Sequence, residues 1–255
     1  HLCDRRQRQM CIRDRYIDNK TRNPKVKGLN QFVNNVLYNW GNGGAYIMGD
    51  TQQKSDADIR NNYFIVGTTD NYDGKKLGAT APFTRYNEHF SAYLSGNFYD
   101  DNKDGLLNGR ELGRADCMKK SVVAGEEIIT SPTFLERPSD VHPEIKELMT
   151  AQEAYEWIVA NGGSSLPVRD EVDAYLIDEL TSLGKKGLII HSEEDIPTKG
   201  PGNIKLAEAP ADTDNDGMPD EFEDKYGLDK NDPADAMKVA SNGYTNIENY
   251  IFLIK

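Results

Sequence analysis

Residues 31–40 read QFVNNVLYNW, and residues 58–67 read DIRNNYFIVG. In both stretches an Asn pair is followed by an apolar run, and the pairs lie 27 residues apart. Asn97, in the segment LSGNFYD, follows Asn62 by 35 residues. Asn tolerates left-handed backbone angles and bonds neighbouring backbone groups, so a recurring Asn is typical of a turn repeated from coil to coil. The pattern predicts an all-β solenoid, a parallel β-helix, whose stacked Asn side chains pair between coils.

Short β-branched and aromatic pieces broken by Asn and Gly extend from Tyr16 to about Tyr99, which indicates strands rather than helices. Turn chemistry by itself does not fix topology, so a sandwich with ordinary hairpin turns stays open on this local pattern. The repeat spacing favours the solenoid. We therefore expect parallel β-helix coils over residues 16–128.

The opening fifteen residues, HLCDRRQRQMCIRDR, differ sharply in character from the rest of the chain. Their five arginines could form a basic arm for nucleic acid, but the chain as a whole carries a formal net charge of −12. We expect residues 1–15 to be a non-native leader that takes no part in the fold.

The spacing of apolar residues becomes helical in residues 150–181, and we expect residues 129–191 to form a helical extension of the coils. Thr150 and Glu153 make a T-x-x-E capping box that opens a first helix. A second helix is expected after Pro167, and the pair should cover the end or side of the solenoid. Residues 192–211 are broken by Pro and Gly and predict a linker. Residues 212–255 form an acidic module that ends in a predicted helix over Asn246–Leu253.

Composition excludes several classes of protein. The acidic charge makes nucleic acid an unexpected partner. The hydrophobic fraction is 37% and there is no long apolar run, so no membrane span is expected. Three cysteines without a CxxC spacing predict neither a zinc site nor a disulfide framework.

Two acidic loops have the spacing of an EF-hand calcium loop. The first places Asp100, Asn102, Asp104 and Glu111 at positions 1, 3, 5 and 12. In the second, positions 1, 3, 5, 9 and 12 are Asp212, Asp214, Asp216, Asp220 and Glu223. Pro219 replaces the usual branched aliphatic residue at position 8, which argues against paired EF-hands. Alternate side chains of a tight loop converge on one point, and hard oxygen ligands suit Ca²⁺. We expect Ca²⁺ in both loops, in a structural role, although acidic surface turns reach this pattern without an ion.

A cationic cluster lies in the segment TRNPKVKGLN, residues 21–30. On an extended strand Lys25 and Lys27 would share one face, with Arg22 presented by the preceding turn. Such a cluster binds carboxylates. On composition alone, a solvated basic turn is the simpler interpretation.

The arrangement R-x-P-K-x-K followed by GLNQFVNNVLYNWG resembles the R-x-P-R-x-R segment of family 1 polysaccharide lyases, the pectate lyases. The later AYEWIVANGGSSLPVRDEVDAYLIDEL resembles the C-terminal segment of bacterial members. The acidic DTDNDGMPDEFEDKYGLDKNDPADA resembles the thrombospondin type 3 or dockerin-like calcium repeats of secreted polysaccharide-degrading enzymes. Together these segments cover most of residues 16–255 and imply the C-terminal coils of a right-handed parallel β-helix, followed by short helices and a calcium-binding tail.

The resemblance also implies an activity, the calcium-dependent β-elimination of α-1,4-linked polygalacturonate in pectin. In that family the first Arg of the motif is assigned as the base that removes the C5 proton, and the cation five residues later binds the substrate carboxylate. Carried over, Arg22 is the catalytic residue, and Lys25 and Lys27 bind substrate. Lys in place of Arg keeps the charge but loses the bidentate fork.

The family holds its catalytic calcium with Asp and Glu residues on coils that precede this motif. The resemblance therefore implies a C-terminal fragment with little or no lyase activity of its own. It further implies a secreted or cell-surface bacterial protein, which we expect to be a monomer.

Two other functions stay open. One is a calcium-dependent carbohydrate-binding solenoid without catalysis, in which Trp40, Tyr46 and Tyr63 would stack on sugars. The other is a β-helix glycoside hydrolase, which needs paired carboxylates facing a groove. Its candidate residues are Asp50, Asp56 and Asp58.

Overall fold

The computed structural model describes the whole chain except residues 1–7, 42–43, 50–51, 69–70, 73–74, 77–80, 86–87, 166–167, 204–207 and 254–255. The chain divides into two compact units. The larger comprises residues 1–165 with 169–204, and the smaller comprises residues 166–168 with 205–255. Asp50 and Pro167, two residues singled out in the sequence, lie outside the described part.

Three sheets with parallel neighbours make up the larger unit, and consecutive strands enter them in a fixed rotation. The first sheet contains β1 (Arg8–Ile12), β4 (Leu29–Val33), β7 (Ser55–Arg60), β12 (Phe90–Ser95) and β17 (Thr133–Phe134). The second contains β2 (Arg15–Ile17), β5 (Val36–Tyr38), β8 (Tyr63–Ile65), β13 (Phe98–Asp100) and the antiparallel β14 (Arg110–Glu111). The third contains β3 (Lys25–Val26), β6 (Tyr46–Met48) and β11 (Phe83–Thr84). This rotation of mostly parallel strands is compatible with the predicted β-helix.

Two short antiparallel hairpins interrupt the rotation. They are β9 (Asn71–Tyr72) with β10 (Lys75–Lys76), and β15 (Lys119–Val123) with β16 (Glu126–Thr130). The second hairpin turns at Ala124 and Gly125, both in the left-handed region. The described parallel sheets therefore carry insertions between strands.

An asparagine ladder joins the coils where the first sheet turns into the second. Asn35 Nδ2 donates to Asn62 Oδ1 at 3.0 Å, and Asn62 Nδ2 donates to Asn97 Oδ1 at 2.8 Å. The same Nδ2 groups, and that of Asn97, donate at 2.8 Å to backbone carbonyls of Cys11, Phe32 and Ile59. All three Asn side chains are fully buried. The predicted pairing of stacked Asn side chains is confirmed.

The turn itself requires left-handed backbone at the residue before each ladder Asn. Asn34 has φ of 58°, Asn61 has 52°, and in the next coil Gly96 has 62°. Asn and Gly are the residues that adopt this conformation at low cost. The Asn pair of the repeat thus has two roles, one in the turn and one in the ladder.

Aromatic rings fill the space between the three sheets. Phe32 lies with its ring centroid 5.0 Å from that of Tyr46 and 6.5 Å from that of Phe64. Phe83 is 5.4 Å from Phe64, and Trp40 meets Phe64 edge-on at 6.3 Å. Tilted and edge-on contacts of this kind add to the stabilisation from burial. One continuous core therefore draws residues from all three sheets.

Two helices of the larger unit, α1 (Ala151–Asn161) and α2 (Glu171–Thr181), cover the outer face of the second sheet. Thr150 opens α1 with the predicted capping box, since its Oγ1 accepts from the Glu153 amide at 3.2 Å. Both helices pack apolar residues on outward-facing residues of β2, β5 and β8, namely Ile17, Val36, Tyr38, Tyr63 and Ile65. The expectation that the helices cover a side of the coils is confirmed.

The expected leader is contradicted in part by the position of residues 8–15. All five residues of β1 pair in parallel with β4, and Arg15 lies in β2 and bonds Asp173 of α2. Cys11 is buried among core residues, because its strand continues the alternation of the coils above it. The strands therefore begin before residue 16, while the non-native origin of the leader stays a prediction.

The domain limits near the C-terminus also differ from the expected ones. The larger unit extends to residue 204, and Asn203 donates its amide to Glu171 at 3.1 Å. Much of the expected linker 192–211 thus lies with the larger unit. The smaller unit contains α3 (Asp220–Tyr226) and α4 (Asn246–Leu253), and α4 has the predicted limits.

Asn62→Ala tests the ladder. The substitution removes the hydrogen bonds to Phe32, Asn35 and Asn97 and leaves buried donors and acceptors without partners. We expect the free energy of unfolding to fall by about 3 kcal/mol or more. Urea unfolding followed by tryptophan fluorescence measures this, since both tryptophans lie in the larger unit. Asn161→Ala, at an exposed helix end, is the control, and equal losses in the two variants would contradict the role of the ladder.

A buried carboxyl pair gives the larger unit a pH dependence. Burial of Asp18, and next the neighbouring Glu179 carboxyl, raise the pKa of Asp18 from 3.8 to about 9. The folded state holds the Asp18 proton more tightly than the unfolded state does. The stabilisation of the fold by this bound proton is therefore present at low pH and is lost as the pH rises from about 4 to about 9. Asp18→Asn should flatten this slope, by at most about 1.4 kcal/mol per pH unit. Urea unfolding across pH measures it, and unchanged slopes relative to the exposed control Asp140→Asn would contradict it.

Candidate functional site

The cationic segment lies at the start of the third sheet. Lys25 is in β3, opposite Ile47 of β6, and Val26 beside it is buried in the core. Lys27 is exposed and its aliphatic chain passes close to Gly49, where an added Cβ would lie 3.0 Å from Lys27 Cγ. Lys25 is half-buried. The predicted sharing of one face by Lys25 and Lys27 agrees with this alternation.

Arg22 is exposed and lies in the turn before β3. Its φ of 66° puts it in the left-handed region. The next residue, Asn23, is buried and donates its amide to the Ala45 carbonyl at 3.0 Å. A buried anchor beside an exposed guanidinium holds the charge at the surface of the coil. The three cations thus lie within one turn and strand, accessible to an anionic ligand.

The two described carboxylates of the hydrolase alternative are engaged elsewhere. Asp58 is buried and accepts two bonds of 2.7 Å from Arg60. Asp56 contacts His142 Nε2 at 2.7 Å. Gln31 of the same sheet face donates to the Pro143 carbonyl at 2.9 Å, so the segment around residue 142 lies over these acids. Asp56 and Asp58 therefore form contacts within the protein and do not line an open groove.

The aromatic residues of the carbohydrate-binding alternative cannot stack on sugars. Trp40, Tyr46 and Tyr63 are 2%, 0% and 4% exposed. Trp40 and Tyr46 belong to the aromatic core, and Tyr63 packs under Tyr155 of α1. The expectation for these three residues was wrong, because the coils enclose Trp40 and Tyr46 in the core and α1 covers Tyr63.

The first acidic loop is held together by its own amide groups. Asn108 donates from Nδ2 to Asp104 at 2.8 Å, and its Oδ1 accepts from Asn102 at 2.7 Å. Asp100 Oδ2 accepts the Asn108 amide at 3.2 Å. Glu111 is exposed in β14. All of residues 100–111 are described, and their carboxylates are not grouped within 4.8 Å of one another. Ca²⁺ in this loop stays a prediction.

The second acidic loop does gather carboxylates. Oxygens of Asp212, Asp214 and Asp216 lie within 4.8 Å of one another, as do those of Asp216, Glu223 and Asp235. Both Glu223 oxygens are buried and have no hydrogen-bond partner among the described residues. Asp214, Asp216 and Asp235 each have one buried carboxylate oxygen that also has no partner among these residues. Clustered, unpartnered buried carboxylate oxygens fit a hard cation such as Ca²⁺.

Charge repulsion is visible at the centre of this cluster. Burial, then the carboxylates of Asp216 and Asp214, raise the pKa of Glu223 to about 7. A group whose charged form is disfavoured to this degree gains from a cation that pairs with it. A cation bound there would compete with a proton for the same oxygens.

The membership of this cluster differs from the sequence expectation at two residues. Asp220, the expected ligand at position 9, accepts from the amide and hydroxyl of Thr213, both at 2.7 Å. Asp235 joins the cluster although it lies beyond the twelve-residue loop. The recurring acids at Asp229, Asp232 and Asp235 are the sequence signal that could have identified this second turn.

With this geometry established, known proteins provide a comparison. The chain is similar to fungal pectate lyases. It is 41% identical over 237 residues to the probable pectate lyase C of Aspergillus flavus, which is 93% of this chain and 51% of the relative. The probable pectate lyase C of Aspergillus terreus is 43% identical over the same share of each chain. That of Emericella nidulans is 43% identical over 238 residues, 93% of this chain and 50% of the relative.

The chain spans about half the length of the curated relatives it matches. No family model matches it, and no solved structure does. These relatives are fungal, so the expected bacterial origin has no support. No described helix is long and apolar enough to cross a membrane.

The substitution Glu223→Gln tests whether the carboxylate cluster of residues 212–235 binds Ca²⁺. Ca²⁺ should slow amide hydrogen exchange over residues 212–226 in the unaltered chain, since it neutralises the buried carboxylates. Removing the Glu223 charge should abolish most of this response. Glu221→Gln, an exposed acid on the same helix, should keep it. Equal responses from both variants would exclude Glu223 as a ligand.

Proposed function

We propose that this chain is part of a pectate lyase that cleaves α-1,4-linked polygalacturonate by β-elimination. The observation that supports this most is the 41–43% identity, over 93% of the chain, to relatives named pectate lyase C. The exposed cations at the start of the third sheet are the second support. An acidic protein that nevertheless displays a local cationic cluster has a site suited to an anionic polymer.

The fold that goes with this proposal is a right-handed parallel β-helix. Parallel strands joined by crossovers are right-handed in almost all proteins. The rotation of strands through three sheets and the ladder of buried Asn side chains support the solenoid. The cations then lie on the outer face of one sheet, where an extended polymer can lie along the coils.

In the proposed elimination the C5 proton of a galacturonate is removed, the C4–O bond breaks and a C4–C5 double bond forms. The departing sugar oxygen takes up a proton, so water is not consumed. Lys25 and Lys27 pair with substrate carboxylates, which lowers the cost of charge that develops next to C5. Calcium, when bound, supplies further neutralisation of a carboxylate.

Arg22 has two proposed roles, which differ in the protonation state of its side chain. As a base it would have to be neutral, and a guanidinium group in water holds its proton very tightly. As a cation it would stabilise the enolate-like intermediate. Its exposure and its place at the start of the basic strand suit both roles.

The described residues around Arg22 bring no group of carboxylates together, and the groups within 4.8 Å are all in the tail. These residues therefore provide no ligand set for a catalytic calcium ion. We propose that the chain by itself yields little or no product, that its tail holds structural Ca²⁺, and that the protein acts outside the cell as a monomer.

The test is the absorbance of the unsaturated uronate product released from polygalacturonate with Ca²⁺. It compares this chain with a longer form that carries preceding coils, and with Arg22→Ala in that form. Arg22→Ala should lower the rate by about a hundredfold or more, the scale of losing one transition-state contact. Arg137→Ala, an exposed surface change, should not alter it. A longer form that binds the polymer without cleaving it would replace the lyase with the non-catalytic solenoid.

Lys27→Arg separates binding from chemistry. Arg offers two parallel donors to a carboxylate where Lys offers a point charge. In the longer form, we expect a several-fold lower KM with kcat little changed. Lys20→Arg, an exposed cation before the motif, is the matched control. A fall in kcat with unchanged KM would contradict a substrate-binding role for Lys27.

A further inference from the structure

The tail contains two overlapping groups of carboxylates. Asp212, Asp214 and Asp216 form the first, which the loop spacing accounts for. Asp216, Glu223 and Asp235 form the second, and their oxygens also lie within 4.8 Å of one another. Asp235 is outside the twelve-residue loop, so loop spacing does not account for this second group.

Asp235 is buried, with 3% of its surface exposed, and its two oxygens are in different environments. Oδ2 accepts the Asp229 amide at 2.8 Å. Oδ1 has no hydrogen-bond partner among the described residues, and neither has either oxygen of the fully buried Glu223. Unpartnered charged oxygens this deeply buried are costly unless a cation pairs with them.

We propose that Asp216, Glu223 and Asp235 form a calcium position next to the loop, with Asp235 as the ligand from the second half of the module. The proposal rests on the calcium-binding role proposed for the tail. Oxygen ligands from carboxylates select hard cations, whereas zinc and copper sites draw on His and Cys. Carboxylate oxygens from three separate side chains suit Ca²⁺, which accepts irregular shells of six to eight oxygens, better than Mg²⁺.

The position of Asp235 couples the ion to the last helix. The Asp235 carbonyl accepts Asn246 Nδ2 at 2.8 Å and the Lys238 amide at 3.0 Å. Asn246 is the first residue of α4. A cation held by Asp235 therefore fixes the turn on which α4 begins, so ordering should extend from the loop to the helix.

Asp220 provides a matched control in the same module. It stood at position 9 in the loop pattern, yet both its oxygens accept from Thr213. It belongs to neither carboxylate group. The substitutions Asp220→Asn and Asp235→Asn remove the same charge. Of these two residues, only Asp235 belongs to the cluster and has a carboxylate oxygen without a hydrogen-bond partner.

The experiment is hydrogen exchange of the whole chain during a calcium titration, with protection followed in peptides from 212–226 and 235–253. The variants are Asp235→Asn and Asp220→Asn. In the unaltered chain both peptides should gain protection at the same calcium midpoint. Asp235→Asn should raise the midpoint by about tenfold or more and abolish the calcium-induced gain of protection in the second peptide. Asp220→Asn should keep the midpoint.

A purely structural Asp235 is distinguished by the sign of the change without calcium. Asn can still accept the Asp229 amide and places an NH₂ beside Asp216 and Glu223, so a ligand role predicts greater protection of the calcium-free variant. A structural role predicts less protection with and without calcium. Either that result or an unchanged midpoint overturns the proposal. Failure of calcium to protect the unaltered chain would instead remove the calcium-binding role of the whole tail.

Discussion

The larger unit depends on the hydrogen bonds between Asn35, Asn62 and Asn97. Each Asn bonds the next and also a backbone carbonyl, so the turn between the first two sheets is the same in every coil it joins. Identical turns put strands in register, and strands in register stack Cys11, Phe32 and Ile59 in the core. An apolar replacement would leave buried backbone groups without partners, which packing cannot offset.

The outer surfaces of the coils are used in different ways. The second sheet is covered by α1 and α2, and part of the first is covered by the segment that includes Pro143 and Met149. The third sheet instead presents Lys25 of its first strand beside the exposed Arg22 and Lys27. The covered faces bury apolar residues of the second sheet, whereas Arg22 and Lys27 beside the third sheet stay exposed.

Much of the fold could be read from local pattern. The Asn repeat, the capping box at Thr150 and the helix Asn246–Leu253 all depend on residues close in sequence, and the structure has each of them. The aromatics could not be placed in this way. Trp40 and Tyr46 look equally suited to a sugar or a core, and only the neighbouring coils decide that both are buried.

The sequence by itself determined the coil repeat, the basic strand and the acidic loop, because each depends on spacing along one segment. It also proposed the leader limit and Asp220 as a ligand, and the structure differs on both. Whether Arg15 joins a sheet depends on β5 and on Asp173, which lies in α2. Whether Asp220 or Asp235 reaches the acidic cluster depends on how the chain returns after α3. Contacts between residues far apart in sequence decide such matters, and no local spacing encodes them.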